Sequence, residues 1–223
     1  MIVAIDGPSG AGKSTVAKAV ARKLGFACLD TGAMYRAVAW RALHEGIDLS
    51  NGEAVGNVAR DRPISFEHDS DVSRPARVLI GGVDVTRVIR TAEIDQLVSV
   101  VSAHPSVRAA LLDQQRRIGQ AGDYVVEGRD IGTVVFPDAA VKVFLSASDE
   151  ARAQRRLRQN LRRKVGSTDL EEVLANIRQR DERDSSRAAA PLRAADDAVR
   201  IDSSSLSIDE VTDRICALVN QVK

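Results

Sequence analysis

Aromatic side chains are scarce: one Trp, two Tyr and four Phe in 223 residues, or 3% of the chain. The core must therefore be built from Val, Leu, Ile and Ala, and a 44% hydrophobic fraction supplies them. The length suits one α/β domain with a small insert. Lysine is sparse too, confined to Lys13, Lys18, Lys23, Lys142, Lys164 and Lys223. The basic set is otherwise arginine, whose forked head grips phosphate and carboxylate with two prongs. Base composition explains such a bias as readily as function does, so position has to decide. The two cysteines, Cys28 and Cys216, are too few and too far apart for a disulfide framework or a metal site. A reduced, cytoplasmic setting is expected. His44, His68 and His104 are scattered, so no zinc cluster is suggested. A net charge of +1 speaks against a nucleic-acid polycation. No apolar run approaches the length of a membrane span, so no membrane partner is expected.

What is present alternates between strands and helices. "MIVAID" reads as a short buried strand, followed by a helix from about Lys13 to Leu24 that Gly25 ends. "FACLD" is the next strand, and "TGAMYRAVAWRALHEG" a helix closed by Gly46. From about Pro63 to Ile89 the pattern becomes short and β-rich, with Gly81-Gly82 as a hairpin turn. Helices are expected from about Ala92 to Ala103, and from Pro105 to about Gly119. "YVVEG" and "VKVFLSA" resume the parallel pattern. Ser148 caps an arginine-dense helix, "VGSTD" breaks it, and a further helix runs from about Leu170 to Ser186. "AVRIDSS" and "SIDEVTDRICALVNQV" are the last strand and helix. The expected architecture is α/β: a five-stranded parallel sheet wrapped by helices, with a small β-rich insert and an arginine-rich helical lid. It forms a single domain, with a core of residues 1–62 and 105–223, an insert at about 63–104 and a lid at about 152–168.

One motif is complete. Gly7-Pro8-Ser9-Gly10-Ala11-Gly12-Lys13-Ser14 fits GxxxxGK[ST], between a strand and a helix. The glycines let backbone N–H groups turn onto phosphate oxygens, and the helix adds the positive end of its dipole. Lys13 reaches the β- and γ-phosphates, and Ser14 or Thr15 ligates magnesium. Such a cradle binds a nucleoside triphosphate but leaves open whether a GTPase, an ATP-driven machine or a small-molecule kinase owns it. No NKxD-type guanine reader is present, and a large ATPase needs more chain.

A kinase needs a second pocket, and four stretches offer one. "LDTGAMYR" puts Asp30 at a strand's carboxyl end, with Thr31, Tyr35 and Arg36 on the next helix; an ordinary cap with a solvated arginine reads the same way. "VVEGRDIGTVVFPD" delivers Glu127, Arg129 and Asp130 past a core strand, where an acid suits magnesium or its waters; the alternative is a surface ion pair. On "LANIRQRDERDSSRAAAPL" the stripe of Leu170, Val173, Leu174 and Ile177 runs into Arg180, Asp184 and Arg187. Charges on a buried side must be paired or bind something, so either a ligand or an internal Arg180–Asp184 bridge is expected. The arginines from Arg152 to Arg163 make either a lid or a solvated face.

In order and spacing, "IDGPSGAGKST", "LDTGAMYR", "IRTAEI", "EGRDIGTVVFPDA", and "RDERDSSRAAAPL" followed by "IDSSSLS", resemble the bacterial cytidylate kinases of the P-loop nucleoside monophosphate kinase family over essentially the whole chain. The resemblance implies phosphoryl transfer from ATP to CMP or dCMP with Mg²⁺, in a monomer. It implies that Gly7 to Thr15 hold the ATP phosphates and magnesium, Ser14 as a ligand and Glu127 through water. It implies that Thr31, Tyr35, Arg36 and Arg129 meet the monophosphate, and that Ser99, Arg108 and Asp130 read cytosine. Arg180, Asp184 and Arg187 match contacts to sugar and phosphate. Lys13 and Arg129, with Arg155 and Arg162 from the lid set Arg155, Arg156, Arg162 and Arg163, carry the catalytic roles. Glu127 stands where Asp is common, and Thr31 and Ser14 replace a frequent Ser and Gly.

Overall fold

The computed structural model describes residues 1–73, 75 and 77–222; residues 74 and 76 of the expected insert, and Lys223, lie outside it. Strands β1 (Ile2–Asp6), β2 (Ala27–Asp30), β6 (Tyr124–Gly128), β7 (Val141–Ser146) and β8 (Val199–Asp202) form one sheet in the order β2-β6-β1-β7-β8. Every pairing in it is parallel. Both faces are covered, so the strands read as nearly unbroken apolar runs. On β1, Val3 and Ile5 enter a core shared with α1 (Lys13–Leu24) and α8 (Ile208–Val222). Ala4 enters the opposite core, shared with α2 (Thr31–His44), α3 (Gly52–Asp61), α4 (Ala92–Ala103) and α5 (Pro105–Gly119).

The insert is a three-stranded antiparallel sheet, β3 (Ile64–Glu67), β4 (Arg77–Ile80) and β5 (Val83–Asp84). Its turn uses Gly81 and Gly82 at φ 56° and 78°, the left-handed region that a tight two-residue hairpin demands. Ile64, Ile80 and Val85 are buried in the same apolar cluster as Met34 and Val38 of α2, so the insert shares the main core.

Helix α3 was not legible in the sequence. Two of its ten residues are glycine, which weakens the helical signal. The structure explains Gly56: a Cβ there would lie 2.7 Å from the Ser106 Cβ, so the glycine lets α3 approach α5.

Helix α6 (Asp149–Arg163) begins at Ser148, whose hydroxyl accepts from the Ala151 N–H at 3.2 Å. It ends at Lys164, in the left-handed conformation with φ 55°. Asp169 caps α7 (Leu170–Ser186) through the N–H groups of Glu171 and Glu172. A small core of Ala153, Val173 and Ile177, with Leu174 packed on it, holds α6 to α7. Leu170 does not belong to the expected buried stripe: it is exposed on the first turn of α7, before the helix reaches α6.

Candidate functional site

A cleft of about 970 Å³ opens above the carboxyl ends of β1, β2 and β6, where ligands sit in open parallel sheets. The loop after β1 forms its floor. Gly10 and Gly12 adopt φ 78° and 95°, and the N–H groups of Gly10, Ala11, Gly12, Lys13 and Ser14 find no acceptor among the described residues. Five backbone donors at one helix N-terminus form a nest for an anion. Gly7 and Pro8 shape this loop without lining the cleft: the Gly7 carbonyl accepts from Arg129 Nη1 at 2.8 Å, and the Pro8 carbonyl from Lys13 Nζ at 2.8 Å. Ser9 is tied from behind, its N–H to Asp181 Oδ1 and its carbonyl to Arg152 Nη1.

Lys13 is buried, with a carbonyl as its hydrogen-bond acceptor. Burial and the nearby Arg129 guanidinium push its ammonium down to about 7. A bound polyphosphate restores the charged form. Above pH 7, therefore, binding Mg-ATP should take up a proton, and affinity should fall as pH rises. Calorimetry at pH 8.5 in buffers of different ionisation enthalpy should show this uptake, and the Lys13→Met variant should lose it. Equal proton uptake in the two proteins would contradict this assignment.

Opposite the loop stands a ring of charge. Asp30 caps α2 through the Ala33 N–H (2.8 Å) and holds Arg36 Nη2 at 2.8 Å. Thr31 donates its hydroxyl hydrogen to the Glu127 carbonyl (2.8 Å) and packs against Gly128, where a Cβ would lie 2.7 Å from that hydroxyl. Arg129 and Asp130 do not pair with each other. Arg129 Nε donates to Asp184 Oδ2 at 2.8 Å, joining β6 to α7. Asp130 takes Arg108 of α5 on Oδ2, with Arg187 Nη2 at 3.8 Å from Oδ1. The Arg108 guanidinium lies 5.6 Å from the centre of the Tyr35 ring. Apart from Ala33, all of these residues line the cleft.

The ring is incomplete in a telling way. Seven buried side-chain polar atoms among the described residues lack a hydrogen-bond partner, and four belong to cleft residues: Arg36 Nε, Arg180 Nε, Arg187 Nη2 and Glu127 Oε1. Among the described residues Arg180 makes no ion pair, so of the two alternatives the internal Arg180–Asp184 bridge is not formed. Burial and the Arg129 charge push the Arg180 guanidinium down to about 10. Buried cations without acids await an anion. Burial, then the Asp30 charge, raise the Glu127 carboxyl, while Lys13 and a hydrogen bond from Ser14 oppose this. A carboxylate oxygen beside an exposed serine hydroxyl suits Mg²⁺, which takes few protein ligands and completes its shell with water and phosphate. Among the described residues no group of three or more His, Cys, Asp or Glu side chains could hold a metal ion.

Other expected residues part company. Ser99 does not line this cleft; it faces an adjoining cavity of about 350 Å³ between α4, α6 and α7, while Ser102, one turn on, lines the cleft. Arg108 donates to the Ser102 carbonyl at 3.2 Å. Arg155 is pinned to the Ser203 hydroxyl and carbonyl and to the Ala11 carbonyl, and Arg156 reaches across to Asp95 of α4 at 3.0 Å. Arg162 and Arg163 are exposed at the mouth. Arg152 is buried, bonded to the Ser9 carbonyl, Asp149 and Asp181. The loop of Ser203 to Ser207 lines the end of the cleft beside Arg155. Its signal was the serine run directly after the last strand, which "IDSSSLS" displays.

A phosphate nest after the first parallel strand, sharing one cleft with an arginine-rich pocket, defines a P-loop α/β fold with room for two anionic groups. The family model for cytidylate kinase matches residues 3–221. A cytidylate kinase from Geobacter sp. (strain M21) is 52% identical over 211 residues, covering 95% of this chain and 89% of that protein. A bifunctional pantoate ligase/cytidylate kinase from Synechococcus sp. (strain JA-2-3B'a(2-13)) is 49% identical over 99% of this chain, and the chain spans 41% of that protein's length. The crystal structure of an uncharacterized protein from Eubacterium ventriosum ATCC 27560 shares the fold at a TM-score of 0.52 and 14% identity, covering 99% of this chain and 98% of that one. The chain belongs to the cytidylate kinase family.

Proposed function

We propose that the protein transfers the γ-phosphoryl group of ATP to CMP or dCMP, giving ADP and CDP or dCDP. The observation that carries this reading is the set of buried guanidinium nitrogens without a hydrogen-bond acceptor, those of Arg36, Arg180 and Arg187, on residues that line the same cleft as the phosphate nest. A binding-only switch has no use for a second anion pocket.

Gly10 to Ser14 cradle the triphosphate through backbone N–H groups, and Lys13 places its charge on the β- and γ-phosphates. Arg36, Arg129 and Arg180 hold the acceptor phosphate, with Tyr35 beside it. A phosphate oxygen of the monophosphate attacks the γ-phosphorus in line, the bond to the ADP oxygen breaks, and no covalent enzyme intermediate forms. Ser14 and, through water, Glu127 would hold Mg²⁺, which when bound neutralises charge on the phosphate oxygens. Asp130 accepts from the exocyclic amine of cytosine, and Arg108 addresses the ring's acceptor side. Asp184 and Arg187 meet the sugar and phosphate. Residues 63–104 wall the acceptor side, and 152–168 form the lid. Within that lid the pinned Arg155 supports the phosphate loop, while the exposed Arg162 is free to reach the transferred group. Catalysis then consists of positioning and charge neutralisation.

The test is ADP release from Mg-ATP with and without CMP. Many turnovers with CMP and a negligible rate without it support the transfer. Nucleotide binding with no turnover in either tube would mark a switch.

A further inference from the structure

Asp130 does not hold itself in place. It heads a single turn of π-helix, Ile131–Val135, in which the Phe136 N–H donates to the Ile131 carbonyl at 2.7 Å. Such turns are rare, and like any helix end they leave backbone groups to be satisfied from outside. Here the two ends are satisfied by residues that line no part of the cleft.

At the amino end, Asp6 is 4% exposed and gives one oxygen to each of two donors: Oδ1 accepts from the Ile131 N–H and Oδ2 from the Gly132 N–H, both at 2.8 Å. At the carboxyl end, Arg116 of α5 donates from Nε to the Val135 carbonyl and from Nη2 to the Val134 carbonyl, both at 3.0 Å. These are charge-assisted, two-pronged bonds, the kind that fix geometry as well as add energy. The two clamping residues stand on the elements that build the site. Asp6 ends β1 immediately before the phosphate loop, and the next carbonyl, that of Gly7, holds Arg129. Arg116 lies on the helix that carries Arg108, the partner of Asp130.

We propose that Asp6 and Arg116 are positioning residues that clamp the 131–135 turn at both ends, fixing the Asp130 carboxylate where it discriminates between pyrimidine bases. The inference rests on the base-reading role given to Asp130 above. A carboxylate displaced by 1 Å loses its hydrogen bond to an exocyclic amine but still fills the pocket, so the signature is lost discrimination rather than lost turnover.

The test measures kcat/KM for CMP and for UMP, and the KM for ATP, in wild type, Asp6→Asn, Arg116→Gln and Asp130→Asn. In Asp6→Asn an amide NH₂ confronts a backbone N–H; in Arg116→Gln one prong is lost. The CMP-to-UMP ratio should fall at least fivefold in both, as it should in Asp130→Asn. In Arg116→Gln, which is remote from the phosphate loop, the KM for ATP should stay within twofold. A purely structural role lowers both acceptors alike; an unchanged ratio in Arg116→Gln, with Asp130→Asn altered, overturns the clamp and leaves the base-reading role standing. An unchanged ratio in Asp130→Asn removes the base-reading role and the clamp with it. If Asp6→Asn does not fold, Arg116→Gln decides.

Discussion

Replacing Lys13 with alanine should lower kcat with CMP by on the order of 10³-fold, the scale seen when one preorganised charge is removed from a transferring phosphoryl group. The fold should not suffer. Lys13 is buried without a carboxylate bonded to it, and burial already strains its charged form. A charge kept in that position is a stability cost borne for function. The thermal midpoint of Lys13→Ala without nucleotide should therefore equal or exceed that of wild type. A variant that keeps more than a tenth of wild-type turnover would remove Lys13 from the transfer step. A strongly destabilised one would give it a structural role instead.

Asp130→Ala should lower kcat/KM for CMP by roughly 10²-fold or more, because a site built to hydrogen-bond a substrate group loses much when the partner goes. Among the described residues Asp130 accepts a hydrogen bond on Oδ2 alone, and Oδ1, with Arg187 at 3.8 Å, keeps its capacity to accept from an amine. UMP lacks that amine, so its kcat/KM should change far less and the preference for CMP should collapse. ATP affinity, measured by calorimetry without acceptor, should stay within about threefold. Equal loss of affinity for ATP and CMP would sink the base-reading role, making Asp130 a general brace for the arginine pair Arg108 and Arg187.

Local features of the site were legible in the sequence, and non-local ones were not. The phosphate loop is a contiguous string whose glycines, lysine and flanking elements announce themselves. The helix caps at Ser148 and Gly25 and the hairpin at Gly81-Gly82 are of the same kind. The switch of the α7 stripe from Ile177 to Arg180, Asp184 and Arg187 pointed to a ligand, and all three charged residues line the cleft. Their partners were out of reach. Asp184 pairs with Arg129, 55 residues away, and Asp130 with Arg108, 22 away, and no periodicity encodes such a match. The π-helical turn has no repeating pattern to read, and nothing local in the sequence sets Asp6 or Arg116 apart. Ser99 and Ser102 share a helix one turn apart, and only packing decides which of them meets the cleft.

The measurement that tests the account most directly is ADP release from Mg-ATP against a panel of acceptors: CMP, dCMP, UMP, AMP, dTMP, GMP, shikimate and none. The account predicts fast multiple turnover with CMP and dCMP, and slow or negligible release with the others. Fast turnover with a different acceptor would keep the phosphate loop and its arginines but overturn the roles of Arg108 and Asp130. Equal slow release in every tube, including the one without acceptor, would contradict transfer altogether.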